Sequence, residues 1–202
     1  MIKQCYKHHN ITQCIQTSQD CTAVGGPYEL NAYDMRKQCV GDLTNMCYEG
    51  VNYVTHFLNQ PSVMAALGVE VQSWTSCSDS MDKAFHAAGD GIQPIYRHVN
   101  TVSEEGMPVL VCAGDVDYIL NWLGQRAWTD GLQWSGRGDF NRAQTRKLTL
   151  GSSDAIQVYG TLKHTKGLAF ARMFKAGHLV PMDQPRPILD LIHRWVDGEF
   201  RT

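Results

Sequence analysis

The stretch Pro108 to Asp117, PVLVCAGDVD, constrains the fold more than any other in this 202-residue sequence. Val109, Leu110, Val111, Cys112 and Ala113 form a short apolar run led in by a proline. That length and composition predict a strand buried on both faces of a sheet. The run stops abruptly at Gly114-Asp115-Val116-Asp117. Two acids just past the carboxyl end of a buried strand are not needed for packing. In open α/β sheets that edge is where ligands and reactive groups gather. A second such edge, Gly177-His178-Leu179-Val180-Pro181, follows the apolar run Leu168 to Phe174.

An acid and then a histidine, each after a buried strand, suggest the last two members of a hydrolase triad in the chain order Ser, Asp, His. An imidazole titrates near pH 6.5, so His178 is suited to take and return a proton. Asp117 would hold its tautomer and stabilise the imidazolium. The blander reading is a turn aspartate and a surface histidine. The other seven histidines have duller helical or loop contexts. The nucleophile is the difficulty. No serine sits in a G-x-S-x-G setting: Ser76 and Ser78 flank Cys77 in polar sequence, and Ser152 and Ser153 lie in a Gly-rich stretch. Cys112 lies inside the apolar run, where a thiol is expected to be inert packing.

Apolar residues make up 43% of the chain and charged ones 19%, as in an ordinary globular protein able to bury a core. A net charge of −2 gives no electrostatic reason to expect nucleic acid or a membrane surface. No apolar run is long enough to span a bilayer. Met1 to Cys5 moves straight into polar sequence, so no signal peptide is read there. Six of the seven cysteines (Cys5, Cys14, Cys21, Cys39, Cys47 and Cys77) precede residue 78. They predict a disulfide-braced segment from an oxidising compartment. Reduced thiols are the alternative, as is a zinc site from Cys5, His8, Cys14 and Cys21, which lacks a matching second pair. Asn10-Ile11-Thr12 is a glycosylation sequon.

Three segments are expected: a Cys-rich one over 1–50, a helical one over 51–105, and an α/β core over 106–202. Residues 52–67 read as helical, with a second start at Pro61 and an end at Gly68. Residues 69–78 read as irregular and extended, Ala84–Ala88 and Ile92–Val102 as helical. Ile119 to Leu132 has helical spacing, and 133–154 reads as a surface excursion. Ala155–Tyr159 and Leu168–Phe174 read as strands. A last helix carries Ile188, Leu191, Ile192, Trp195 and Val196.

VLVCAGDVDYILNWLGQRAWTDGL and AGHLVPMDQPRPILDLIHRWVDGEF resemble the catalytic-aspartate and catalytic-histidine segments of the serine carboxypeptidases. YDMRKQC, NMCYEG and SCSDSMDKAFHAAGD extend the resemblance upstream. It implies the carboxyl-terminal portion of an α/β-hydrolase sheet, with a Cys-rich, partly helical inserted segment at its amino-terminal end. It implies Asp117 and His178 as triad members, and release of carboxyl-terminal residues from peptides through an acyl-enzyme. Ile119, Leu120 and Leu179 fall on positions that line the family's side-chain pockets. Tyr33, Tyr48, Ser76 and Cys77 fall at or near its leaving-residue pocket. Gly91 stands where the family often has a pocket-wall tryptophan. Cys5 is implied to pair with Cys14, and Cys39 with Cys47. Cys21 and Cys77 are left needing partners outside the sequence, and Cys112 is implied to be free. No cofactor or metal is implied. A missing amino-terminal chain would supply the serine, the oxyanion amides and the substrate clamp. Vacuolar, lysosomal or secreted residence is implied. The competing readings are a truncated, non-catalytic binding protein of the same fold and, more weakly, a lipase or esterase.

Overall fold

A computed structural model describes residues 12, 15, 16, 30–39, 47–89, 94–151 and 156–200. The expected Cys5–Cys14 pair, Cys21, Asn10 and Gly91 lie outside the described residues. The chain divides into two compact units, one of Met1–Asn31 and Lys37–Pro94, the other of Ala32–Arg36 and Ile95–Thr202.

The first unit contains β1 (Leu30–Asn31) and the end of β2 (Asp34–Gln38). The disulfide Cys39–Cys47 follows, and Cys77 is free and exposed. Helices α1 (Glu49–Leu58) and α2 (Pro61–Leu67) follow one another with the expected second start at Pro61, which has no amide proton to continue the ladder. Gly68 ends α2 at φ 65, in the left-handed region that glycine enters freely. The irregular stretch beyond is tied back through Asn59. Its amide group donates to Thr55 O and Trp74 O, both at 2.9 Å, and its carbonyl accepts from Trp74 N at 2.8 Å. Helix α3 (Asp79–Ala88) starts five residues before the apolar spacing does. Ser78 caps it by accepting from Met81 N, and Asp79 and Asp82 complement the exposed amides of its first turn.

The second unit is built on a four-stranded sheet of β3 (Val109–Gly114), β4 (Arg146–Leu150), β5 (Gln157–Thr165) and β6 (Leu168–Met173). The spatial order is β3-β6-β5-β4. β3 runs parallel to β6, and the other two pairings are antiparallel. Helices α4 (Tyr96–Glu104), α5 (Trp122–Gly131), α6 (Arg137–Arg142), α7 (Val180–Asp183) and α8 (Pro185–Val196) complete the unit. Side chains alternate across a strand, and β6 obeys this closely. Ala169, Ala171 and Met173 join one core cluster with Ile188 and Leu191 of α8. Leu168 and Phe170 join another with Leu132 and Phe140.

The strand buried on both faces is therefore β6. Among the described residues β3 is an edge strand: Val109 to Val111 are half-buried and Cys112 is exposed. The expectation that Cys112 is packed away is corrected accordingly, while partial desolvation still pushes its thiol pKa up, against the reactive thiolate. An edge strand lacks the second neighbour that would cover its side chains. The stretch 133–154 also proves to hold structure, namely α6 and β4. Among the described residues no helix is long and apolar enough to cross a membrane.

Candidate active site

The parallel pairing of β3 with β6 decides where the site forms. Parallel neighbours end at the same edge, and Gly114 sits opposite Met173 in the register. The loops that follow are then stitched together by main chain: Asp115 N donates to Met173 O at 2.9 Å and Val116 N to Ala176 O at 3.1 Å. A β-carbon on Gly114 would lie 2.2 Å from Gly177 O, so only glycine allows this approach.

Asp115 is needed for packing after all. Its Oδ1 accepts from Lys175 N at 2.8 Å, and its Oδ2 lies 3.6 Å from the Arg172 guanidinium. Asp117 is the acid left to face the histidine. It is 4% exposed, and its Oδ2 lies 2.9 Å from His178 Nδ1. Its Oδ1 accepts from Leu120 N at 3.3 Å. A carboxylate only accepts, so the imidazole proton is at Nδ1 and the Nε2 lone pair is left for another donor. His178 keeps 28% of its side chain exposed. A buried acid beside an oriented, part-exposed imidazole is an arrangement able to accept a proton, as the activation of a hydroxyl nucleophile requires.

The other sequence-derived positions divide between the units. In the second unit Tyr33 meets the His178 ring edge-on, with centroids 5.3 Å apart. Ile119 and Leu120 follow Asp117 with half their surface exposed, and Leu179 follows His178 half-buried. Helix α5 starts at Trp122, later than its spacing suggested, because Asn121 caps it by accepting from Gly124 N at 2.9 Å. That leaves Ile119 and Leu120 on the loop beside the pair. In the first unit Tyr48 is buried. Ser76 and Cys77 line a pocket of about 340 Å³ with Thr55 and Asp79. Among the described residues no cluster of three or more His, Cys, Asp or Glu side chains could hold a metal. The zinc reading falls on residues outside that set.

The serine carboxypeptidase family model matches residues 1–198. The chain belongs to the serine carboxypeptidase family. Carboxypeptidase Y homolog A of Chaetomium globosum is 45% identical over 204 residues, covering 99% of this chain and 36% of that protein. Its counterpart in Pyricularia oryzae is 41% identical, covering 99% and 37%. A similar fold occurs in Kex1(delta)p, a prohormone-processing carboxypeptidase from Saccharomyces cerevisiae. The TM-score is 0.64 at 21% identity, over 84% of this chain and 38% of that one. This serine carboxypeptidase chain thus spans little more than a third of the length of these relatives. Its mixed sheet and flanking helices are those of an α/β-hydrolase-type portion.

Proposed function

We propose that this chain supplies the acid and the base of a serine-type carboxypeptidase. The remaining length that relatives possess would provide the nucleophilic serine, the oxyanion amides and the clamp for the substrate's terminal carboxylate. The observation that carries the reading is the 2.9 Å contact between buried Asp117 and His178 Nδ1. His178 Nε2 takes the proton from the serine hydroxyl as its oxygen attacks the peptide carbonyl. The imidazolium, held by Asp117, then gives that proton to the departing amine. Water repeats the cycle on the acyl-enzyme and releases the shortened peptide. Tyr33, Ile119, Leu120 and Leu179, all in the unit that carries Asp117 and His178, are the proposed substrate-pocket walls. The disulfide Cys39–Cys47 supports residence in a vacuole, lysosome or the cell exterior.

The test joins the chain to the amino-terminal portion of the Chaetomium globosum relative and measures release of the last residue from a blocked dipeptide. The joined protein is expected to be active and the chain alone inert. Asp117→Asn should lower kcat about 10,000-fold by presenting the wrong tautomer. A folded, joined protein indifferent to His178→Ala would overturn the proposal. A second reading, a non-catalytic binding protein, is favoured by the open edge of β3 among the described residues. A joined protein that binds peptides without cleaving them would establish it.

A further inference from the structure

The segment Ala32–Arg36 touches both loops of the Asp117–His178 pair, yet none of its charged groups takes part in the chemistry proposed above. On one side Tyr118 N and Ile119 N both donate to Ala32 O at 3.1 Å, and Met35 N donates to Val116 O at 3.0 Å. On the other side His178 N donates to Tyr33 O at 2.8 Å. A β-carbon on Gly177 would lie 2.3 Å from that same Tyr33 oxygen. The segment therefore lies across the two loops like a strap.

The strap carries a buried charge. Asp34 is 0% exposed. Arg36 answers it with a two-pronged bond, Nε to Oδ1 at 2.8 Å and a terminal nitrogen to Oδ2 at 2.6 Å. The same guanidinium donates to Lys175 O at 2.8 Å and lies 3.4 Å from Asp183 Oδ2. Asp183 Oδ2 in turn accepts from Gly177 N at 2.7 Å. One planar fork thus holds its own strap and the chain on both sides of His178.

What it holds is strained. Lys175 has φ 56, a left-handed conformation that costs a side-chain-bearing residue free energy. Such a residue persists when its surroundings over-determine it. Here the Lys175 amide is held by Asp115 and its carbonyl by Arg36 and by Gln184 Nε2 at 3.3 Å. The turn at Lys175 sets the direction in which Gly177 and His178 leave β6. Desolvating an ion pair is a poor route to stability but a good route to fixed geometry.

We propose that Asp34 and Arg36 are positioning residues that hold His178 in register with Asp117. The proposal rests on reading Asp117 and His178 as the working pair, but its test does not require hydrolysis. The probe is the ¹⁵N spectrum of the His178 ring in this chain, recorded where the imidazole is neutral. Bonding to Asp117 holds the proton on Nδ1, whereas free histidine prefers it on Nε2. Arg36→Gln is expected to lower the Nδ1–H share of His178 to below about half. Because Arg36→Gln strands a buried carboxylate, the double variant Asp34→Asn with Arg36→Gln guards against simple unfolding and should show the same change. Arg36→Lys should restore thermal stability but not the tautomer, since a point charge pairs with Asp34 without reaching the Lys175 carbonyl. A lowered melting temperature with the His178 tautomer unchanged in the folded variants would overturn the proposal. So would full recovery of the tautomer in Arg36→Lys. If the tautomer responds while the joined protein fails to cleave peptides, the strap stands and the peptidase reading falls.

Discussion

Gly114→Ala tests whether the two loops are as close as the site requires. The added carbon would sit 2.2 Å from Gly177 O and 2.3 Å from Ala176 O. Ordinary carbon–oxygen contact is about 3.3 Å, so one loop must retreat by roughly 1 Å. Both obstructing atoms are main chain, so no side-chain rotation absorbs the clash. Retreat also breaks the Val116 N to Ala176 O bond. Overpacking costs about 1–3 kcal/mol and the lost bond roughly 1 more, giving a destabilisation of about 2–4 kcal/mol. The 2.9 Å Asp117–His178 contact, lengthened by about 1 Å, leaves hydrogen-bonding range. Urea unfolding is the assay, with an expected fall in midpoint of about 1–2 M. Gly131→Ala is the control, because Gly131 ends α5 with nothing within 4 Å of its added carbon. Both substitutions restrict the unfolded chain alike, and the control should gain about 0.5–1 kcal/mol. A Gly114→Ala protein within about 0.5 kcal/mol of the parent would refute the close-approach argument.

Lys163→Met removes the ammonium of a 6%-exposed side chain, which lies 2.8 Å from Asp130 and over the Phe140 ring. The loss in a thermal melt should be about 1–2 kcal/mol, less than for a fully buried pair because Asp130 keeps Arg126 and solvent. Arg194 grips Glu199 with two bonds at 2.6 and 2.7 Å and holds its carboxyl below the usual range. A lowered folded-state pKa stabilises above the unfolded value of about 4.3 and is lost as pH falls through the folded value. Glu199→Gln should therefore narrow its stability gap to the parent in acid melts and show the full gap near neutrality. Opening Cys39–Cys47, whose partners are 8 residues apart, should cost the folded chain about 2–3 kcal/mol, read by comparing Cys39→Ser/Cys47→Ser with the parent in denaturant.

The elements legible in the sequence are those whose pattern is local. The apolar runs that became β3 and β6, the proline-led α8 and the turn after α2 all carry their own signals. β4 does not. Of Arg146 to Leu150 only Leu148 is buried, and a register shift between Leu148 and Thr149 breaks the alternation. The burial of β3 was misjudged because composition reports what a strand prefers to touch, not how many neighbours it has. Asp117 and His178 were visible as residues placed just after apolar runs. The strap at Ala32–Arg36 was not, because its meaning lies in contacts with residues more than eighty positions away. Asp115 and Asp117 look alike in sequence, and only the pleat and the following turn give one to the Lys175 amide and the other to the imidazole.

The parallel pairing of β3 and β6 has a consequence for how such a chain can change over time. The distance between Asp117 and His178 is set by two adjacent strands, not by the sixty residues that join them. β4 is the strand at the other end of the sheet order from β3. Trading its exposed residues, Arg146, Lys147 and Thr149, leaves the spacing of acid and base untouched. That edge is a place where new surface can be acquired without moving the pair, by natural drift or by an engineer seeking an attachment point.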